Sequence, residues 1–67
     1  MNENPYIKIK NWFENDIVKR KETLEFYMKE GKISTETIFI HLDTIKYLEK
    51  VIEGVDRYIV EYERIYN

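Results

Sequence analysis

The sequence contains no cysteine, no alanine and no glutamine, and it has only one proline and two glycines. Without cysteine the chain has neither a disulfide framework nor a cysteine-ligated zinc site, so nothing favours an oxidising compartment. Isoleucine, lysine, asparagine and tyrosine are abundant. Together with the missing alanine and glutamine, this bias indicates coding from an AT-rich genome, as in a low-GC bacterium or its phage.

A long apolar run and a one-sided charge are also missing. No stretch approaches the roughly 20 apolar residues that a membrane span needs, and the opening Met-Asn-Glu-Asn is polar, unlike a secretory signal. We therefore expect no membrane insertion and a cytoplasmic location. The 13 acidic and 11 basic residues are interspersed, with a formal charge of −2. No basic stripe exists to bind nucleic acid directly, and no dense carboxylate array exists to mimic it.

The length of the chain, 67 residues, allows one domain, spanning 1–67. A fold of this size buries only about 60% of the surface that its unfolded chain exposes, so its core is marginal on its own. We therefore expect the protein to gain stability from a partner.

The first helix is marked by its end signals. Asn4 can cap free amide groups, and Pro5 suits the first helical position. Gly31 is the residue type that commonly closes a helix in the left-handed conformation. These signals predict a helix over about 5–30.

The second helix begins behind the turn. Ser34 or Thr35 can cap its first amides, and Glu36 suits the positive end of the helix dipole. No proline follows, and a single glycine in a helix is tolerated at a cost of about 1 kcal/mol. The sequence therefore predicts a second helix over about 35–66.

A strand is the alternative for the first ten residues, because YIKIK alternates apolar and basic residues. A strand before two helices would suggest a ribbon-helix-helix DNA-binding protein. Pro5 and the length of the second helix favour the helical interpretation.

The second helix carries the strongest pattern in the chain, a heptad seam typical of coiled coils. Its members are Ile38, Ile45, Ile52, Ile59 and Tyr66, with His41, Leu48, Val55 and Tyr62 between them, and Val51, Tyr58 and Ile65 widen it on one side. One face of the first helix matches it, formed by Tyr6, Ile9, Phe13, Ile17, Leu24, Tyr27 and Met28. The sequence therefore predicts an all-α fold, an antiparallel hairpin of two long helices with Ile17 near Leu48 and Phe13 near Ile52.

More apolar and aromatic residues are present than one hairpin can bury. We expect a partner or dimer interface formed by Ile7, Trp12, Phe26, Phe39, Ile40, Tyr47, Tyr58, Tyr62 and Tyr66. Two hairpins would then pair as a homodimeric four-helix bundle, or one hairpin would dock on a different protein. The alternative is that several of these residues are half-buried surface residues.

Two charged or titratable residues fall on the apolar faces. His41 is the sole histidine, and its seam position favours a packed histidine over a proton donor or a pH-sensitive interface residue. Arg20 on the first helix needs a partner, which Asp16 can supply one turn earlier. Glycine-rich phosphate loops, serine nucleophile elbows and metal-spaced acids are missing, so we predict no metal site and no cofactor.

A family resemblance involves both helices. Ile17, Arg20 and Leu24 precede the glycine turn, and Leu42 and Asp43 follow it. The stretch IVKRKETLEFYMKEGKISTETIFIHLDTIKYL resembles the small sporulation-type aspartyl-phosphate phosphatases, which are helical hairpins that dephosphorylate response regulators. The resemblance implies binding to a response regulator and makes Asp43 a candidate catalytic residue.

The family's motif on the second helix is serine-glutamine-x-leucine-aspartate, and this chain keeps only its end. Phe39 stands where the serine belongs and Ile40 where the glutamine belongs. The resemblance therefore implies binding more readily than catalysis.

The sequence thus predicts a small non-catalytic protein-binding regulator, such as an inhibitor, antirepressor or adaptor, that acts through exposed apolar and aromatic helix faces. Two alternatives stay open. One is an aspartyl-phosphate phosphatase that acts on a response regulator and uses Asp43. The other is a structural subunit of a larger assembly.

Overall fold

The computed structural model describes residues 3–66, which form two helices, α1 (Pro5–Glu30) and α2 (Thr35–Tyr66), with no strand among them. The helices pack against each other as an antiparallel hairpin with extents of 50 × 18 × 10 Å. The all-α fold and both helix ranges are confirmed, and the strand alternative for the first ten residues is wrong. Neither α1 nor α2 contains a stretch that is both long and apolar enough to cross a bilayer.

The ends of α1 follow from local side-chain and backbone chemistry. The Asn4 side chain accepts a hydrogen bond from the Tyr6 N–H at 3.1 Å, and Pro5 occupies the first helical position. At the other end Gly31 is left-handed, with φ of 67°. The Gly31 N–H donates to the Met28 carbonyl, and the Lys32 N–H donates to the Tyr27 carbonyl. This pair of bonds is the Schellman motif, which ends a helix.

The first turn of α2 is capped by Ser34. Its hydroxyl oxygen accepts a hydrogen bond from the Thr37 N–H at 3.2 Å, and its carbonyl accepts one from the Ile38 N–H at 3.0 Å. Of the two caps that the sequence allowed, Ser34 is therefore the one used. From there α2 runs through Gly54 without a break.

The core lies where the two apolar faces meet. Its buried apolar residues are Ile17, Leu24, Ile45 and Leu48, and Phe13 and Ile52 pack against them at partial exposure. Ile17 and Leu48 share one cluster, as the matched seams predict. Four residues are a thin core for a chain of this length, which agrees with the expected marginal stability.

The α1 face is narrower than the sequence predicts. Ile9, Tyr27 and Met28 were expected to face α2, but they are 38%, 43% and 52% exposed. Two cylinders touch along one line, so side chains to either side of that line are covered only if a third helix is present. This hairpin has no third helix.

Candidate protein-interaction surface

Most of the large apolar side chains in the described residues face solvent. Fifteen of them are exposed, against four that are buried. Single exposed apolar residues are normal on any protein, whereas a contiguous set marks an interaction site. Whether these exposed residues mark an interaction site therefore depends on how they are arranged around the helices.

One set forms a continuous stripe along α2. Its members repeat at alternating spacings of four and three residues, except that Glu61 takes the position between Tyr58 and Ile65. We call the uncharged members the outer stripe: Ile40, Thr44, Tyr47, Val51, Gly54, Tyr58 and Ile65. Glu61 is the one charged residue on this line; it is exposed and pairs with Arg64 at 2.7 Å. At 1.5 Å per residue the stripe is about 37 Å long. Ile40, Tyr47 and Ile65 are 63%, 67% and 67% exposed.

The outer stripe is distinct from the seam that packs on α1. Successive residues of a helix lie roughly 100° apart. Ile40 and Tyr47 each come directly before a seam residue, so they lie about 100° to one side of the seam. Tyr58 and Ile65 were expected to widen the seam, but they are 59% and 67% exposed. They belong to the outer stripe instead.

The opposite flank of the hairpin is charged. Lys10 Nζ lies 2.8 Å from Asp56 Oδ1, and Lys21 Nζ lies 4.0 Å from Glu49 Oε1. Asp56 and Glu49 come directly after seam residues, so they lie on the side away from the outer stripe. We call this side the ion-paired flank. The hydrogen bond with Asp56, together with its charge, raises the pKa of Lys10 above its usual 10.5. Lys10 is therefore charged at neutral pH.

The outer-stripe flank differs from the ion-paired flank in its contacts. No ion pair among residues 3–66 joins α1 to α2 there. Tyr58 instead stacks on Tyr6, with ring centroids 5.4 Å apart and planes 19° from parallel. Tyr62 meets the edge of the Tyr6 ring and packs on Tyr66, at centroid distances of 6.2 and 4.5 Å. These four tyrosines form an aromatic cluster at the open end of the hairpin.

α1 also contributes to the outer-stripe flank. Because the helices are antiparallel, residues that precede a contact residue lie on the same side in both helices. Trp12 precedes Phe13 and is 77% exposed. With Phe13, Asp16 and Lys19 it lines a shallow depression of about 350 Å³.

The nine residues predicted at the interface do not form one surface. Eight are exposed, and Tyr62 is half-buried. Trp12, Ile40, Tyr47 and Tyr58 lie on the outer-stripe flank, spread along its length. Ile7 falls on the ion-paired flank, Phe26 and Phe39 lie on the backs of the helices, and Tyr62 and Tyr66 are in the aromatic cluster. The sequence analysis did not assign Thr44 and Gly54 to this surface, although their spacing from Ile40 and Tyr47 places them on the same side of α2.

A second apolar depression lies near the turn on the ion-paired flank. It has a volume of about 710 Å³, and its apolar floor includes Leu24, Met28, Leu42 and Ile45. Its rim carries Lys21, Glu25, Lys29, Lys46 and Glu49. This rim of five charged residues contrasts with the line of the outer stripe, where Glu61 is the one charge.

The residues singled out for chemistry lie apart from one another. Asp43 is exposed on the back of α2, as its register predicts, and His41 is half-buried in the seam. Arg20 pairs with Asp16 at 3.2 Å, which confirms the predicted pair. No group of three or more histidine or acidic side chains among residues 3–66 is placed to hold a metal ion.

No protein-family model, curated protein or solved structure matches this chain. Its function is therefore inferred from the surface described above.

Proposed function

We propose that this chain is a small protein-binding regulator, such as an inhibitor, antirepressor or adaptor, and that the outer stripe of α2 is its binding surface. The observation that carries the proposal is the heptad spacing of this mainly apolar stripe, which runs beside a seam that α1 already covers. Its isoleucine and tyrosine members are exposed. A helix with two apolar faces about 100° apart is typical of helical bundles, where each helix contacts two neighbours. In the hairpin α2 has only one neighbour.

The amount of apolar surface that the outer stripe leaves exposed supports the presence of an interface. Complete burial of one large apolar side chain contributes about 1.5–3 kcal/mol. The outer stripe holds four exposed large apolar side chains, Ile40, Tyr47, Tyr58 and Ile65, and the half-buried Val51, whereas the core of the hairpin has four buried apolar residues. Covering the stripe would therefore remove about as much apolar surface from water as the present core does.

Site-specific photo-crosslinking tests this proposal. A benzophenone amino acid is placed at Tyr47 in cells that produce the protein, and Phe39 is the matched control. Both are aromatic residues of α2 with similar exposure, 67% and 60%, but Phe39 lies off the outer stripe. We expect a protein adduct at Tyr47 in clear excess over Phe39. Equal yields at the two positions, or none at Tyr47, would contradict the proposal.

An aspartyl-phosphate phosphatase is the second candidate, and the position of Asp43 favours it. The carboxylate is exposed on the side of α2 away from α1, so it can reach a phosphoryl group on a bound protein without disturbing the core. This candidate predicts that the protein accelerates loss of aspartyl phosphate from a response regulator and that Asp43→Ala abolishes the effect. Glu63→Ala, at another exposed acid of α2, is the control. A protein that accelerates no such loss on any response regulator of its host has a different function.

A further inference from the structure

We infer that the outer stripe is covered by the outer stripe of a second copy of this chain, which runs antiparallel with the two-fold axis beside Lys50. The inference rests on the proposed function, because it names the occupant of the surface proposed there. It is carried by a pattern of charge along one edge of the stripe.

Every seventh residue along the edge of the outer stripe that faces away from α1 is charged. These residues form the charged edge: Glu36, Asp43, Lys50, Arg57 and Arg64. All five are exposed. Asp43, Lys50 and Arg57 each come directly before a residue of the outer stripe, so they lie about 100° further around α2. The sign changes once along the edge, from acidic in the first half to basic in the second.

An antiparallel second copy satisfies this pattern. With the axis beside Lys50, Glu36 lies opposite the partner subunit's Arg64, and Asp43 lies opposite the partner subunit's Arg57. The symmetry repeats both pairs, so four ion pairs flank the stripe. Charges at these flanking heptad positions are the ones that set orientation and partner choice in coiled coils. Lys50 meets its own copy at the axis, where its long side chain can reach water.

The apolar residues agree with the same alignment. Tyr47 lies opposite the partner subunit's Val51, and Ile40 lies opposite the partner subunit's Tyr58. Thr44 and Gly54 are the two smallest residues of the stripe. Thr44 lies opposite the partner subunit's Gly54. This apolar alignment differs from the charged alignment by about 3 Å along the helix axes, which is within the reach of long side chains. One arrangement therefore serves both sets.

The helix dipole explains only part of the acidic-to-basic order along the charged edge. It favours acids in the first turn and bases in the last turn, so it accounts for Glu36 and Arg64. Its effect falls off within those turns, and it leaves Asp43 and Arg57 in the middle of α2 unexplained. Arg64 also pairs with Glu61 at 2.7 Å within its own helix. Asp43 and Arg57 are therefore stronger evidence for an antiparallel second copy than Glu36 and Arg64 are.

A parallel second copy does not use the pattern. In a parallel coiled coil the charged edge would face the partner's position occupied by His41, Leu48, Val55 and Tyr62, which are seam residues against α1. No ion pair would form. The antiparallel arrangement also places each α1 on the outer corner of a four-helix bundle, because seam and stripe are about 100° apart.

A charge swap tests the pairing. Asp43→Arg and Arg57→Asp are made singly and together, and self-association is measured by sedimentation equilibrium. Each single change sets like charges opposite each other twice, so we expect the dimer Kd to rise by about tenfold or more. The double change restores opposite charges and should return the Kd close to that of the unaltered chain. Failure of the double change to restore association would overturn the inference. Both residues are exposed, and circular dichroism checks that helicity is unchanged.

Cysteine cross-linking tests the direction of the pairing separately. Because the chain contains no cysteine, each introduced cysteine is its sole thiol. Single cysteines are introduced by Lys50→Cys, Glu36→Cys and Arg64→Cys, and the proteins are treated with a short bismaleimide. We expect Lys50→Cys to cross-link to itself and Glu36→Cys to cross-link only when mixed with Arg64→Cys. In an antiparallel pair the two copies of position 36 are about 42 Å apart. Efficient cross-linking of Glu36→Cys alone would contradict the inference.

The two proposals fail in different ways. If the adduct at Tyr47 contains a different protein and the chain sediments as a monomer, the inferred self-pairing is wrong and the protein-binding function stands. If Tyr47 gives no adduct of either kind, both proposals are wrong.

Discussion

At the residue scale, Asn4 has two structural roles at the open end of the hairpin. It is the one buried polar residue in the described chain, at 7% exposure. Its side-chain oxygen caps α1, and its side-chain nitrogen donates to the Ile59 carbonyl of α2 at 3.2 Å. The sequence predicts the cap, because the cap depends on neighbouring residues. The bond to Ile59 depends on how the helices cross, so no local pattern could reveal it.

Replacing Asn4 separates these roles. We expect Asn4→Ala to lower the free energy of unfolding by about 1–2 kcal/mol, because the cap and the bond to Ile59 are both lost. Asn4→Asp keeps an acceptor for the Tyr6 N–H but cannot donate to the Ile59 carbonyl at neutral pH. It should recover only part of the loss. Urea denaturation measures both values, and an Asn4→Asp protein as stable as the unaltered chain would show that the bond to Ile59 contributes nothing.

A second comparison at this scale concerns Ile45 and Asp43. Ile45 is the most deeply buried core residue, at 4% exposure, so we expect Ile45→Ala to cost about 2–4 kcal/mol. Asp43 is exposed, and Asp43→Ala should change stability by no more than about 0.5 kcal/mol in the hairpin itself. Denaturant titration at low protein concentration keeps association out of the comparison. Similar losses for the two variants would show that the core is placed wrongly.

At the scale of the elements, the two glycines should respond oppositely to alanine. Gly31 is left-handed, with φ of 67°, so Gly31→Ala should destabilise the turn by about 1 kcal/mol. Gly54 lies inside α2, and a Cβ built there meets nothing within 4 Å. Gly54→Ala should therefore stabilise the single hairpin by about 0.5–1 kcal/mol when it is measured at a protein concentration low enough to keep association out. Thermal unfolding followed by circular dichroism measures both signs, and a loss of stability in Gly54→Ala at that low concentration would contradict the open space beside Gly54 in the hairpin.

The elements also show why only part of the structure could be predicted from the sequence. The ends of α1 and α2 depend on neighbours such as Pro5, Gly31 and Ser34, so local chemistry predicts them well. The division of apolar residues between seam and outer stripe depends instead on the line along which the helices touch. Tyr58 and Ile65 therefore proved exposed although they adjoin the seam. The candidate surface could be predicted as a set of surplus residues, but its continuity required the hairpin.

At the scale of the whole molecule, the hairpin has two apolar faces on α2 and one partner for them. The seam is covered by α1, with only four apolar residues buried. The outer stripe is mainly apolar and partly open, with Glu61 as the one charge on its line, and its charged edge is complementary to itself in the antiparallel direction. A second copy would supply both the missing neighbour of α2 and the missing opposite charges. We therefore infer that the single hairpin is half of the stable unit.

Sedimentation equilibrium at micromolar concentration tests this central claim most directly. We expect a mass of twice the 8.3 kDa of one chain and a return to the mass of one chain in Tyr47→Glu. The control variant Phe39→Glu changes a residue of similar exposure off the outer stripe, and it should stay dimeric. A fully helical protein that sediments at 8.3 kDa over this whole range would contradict the claim.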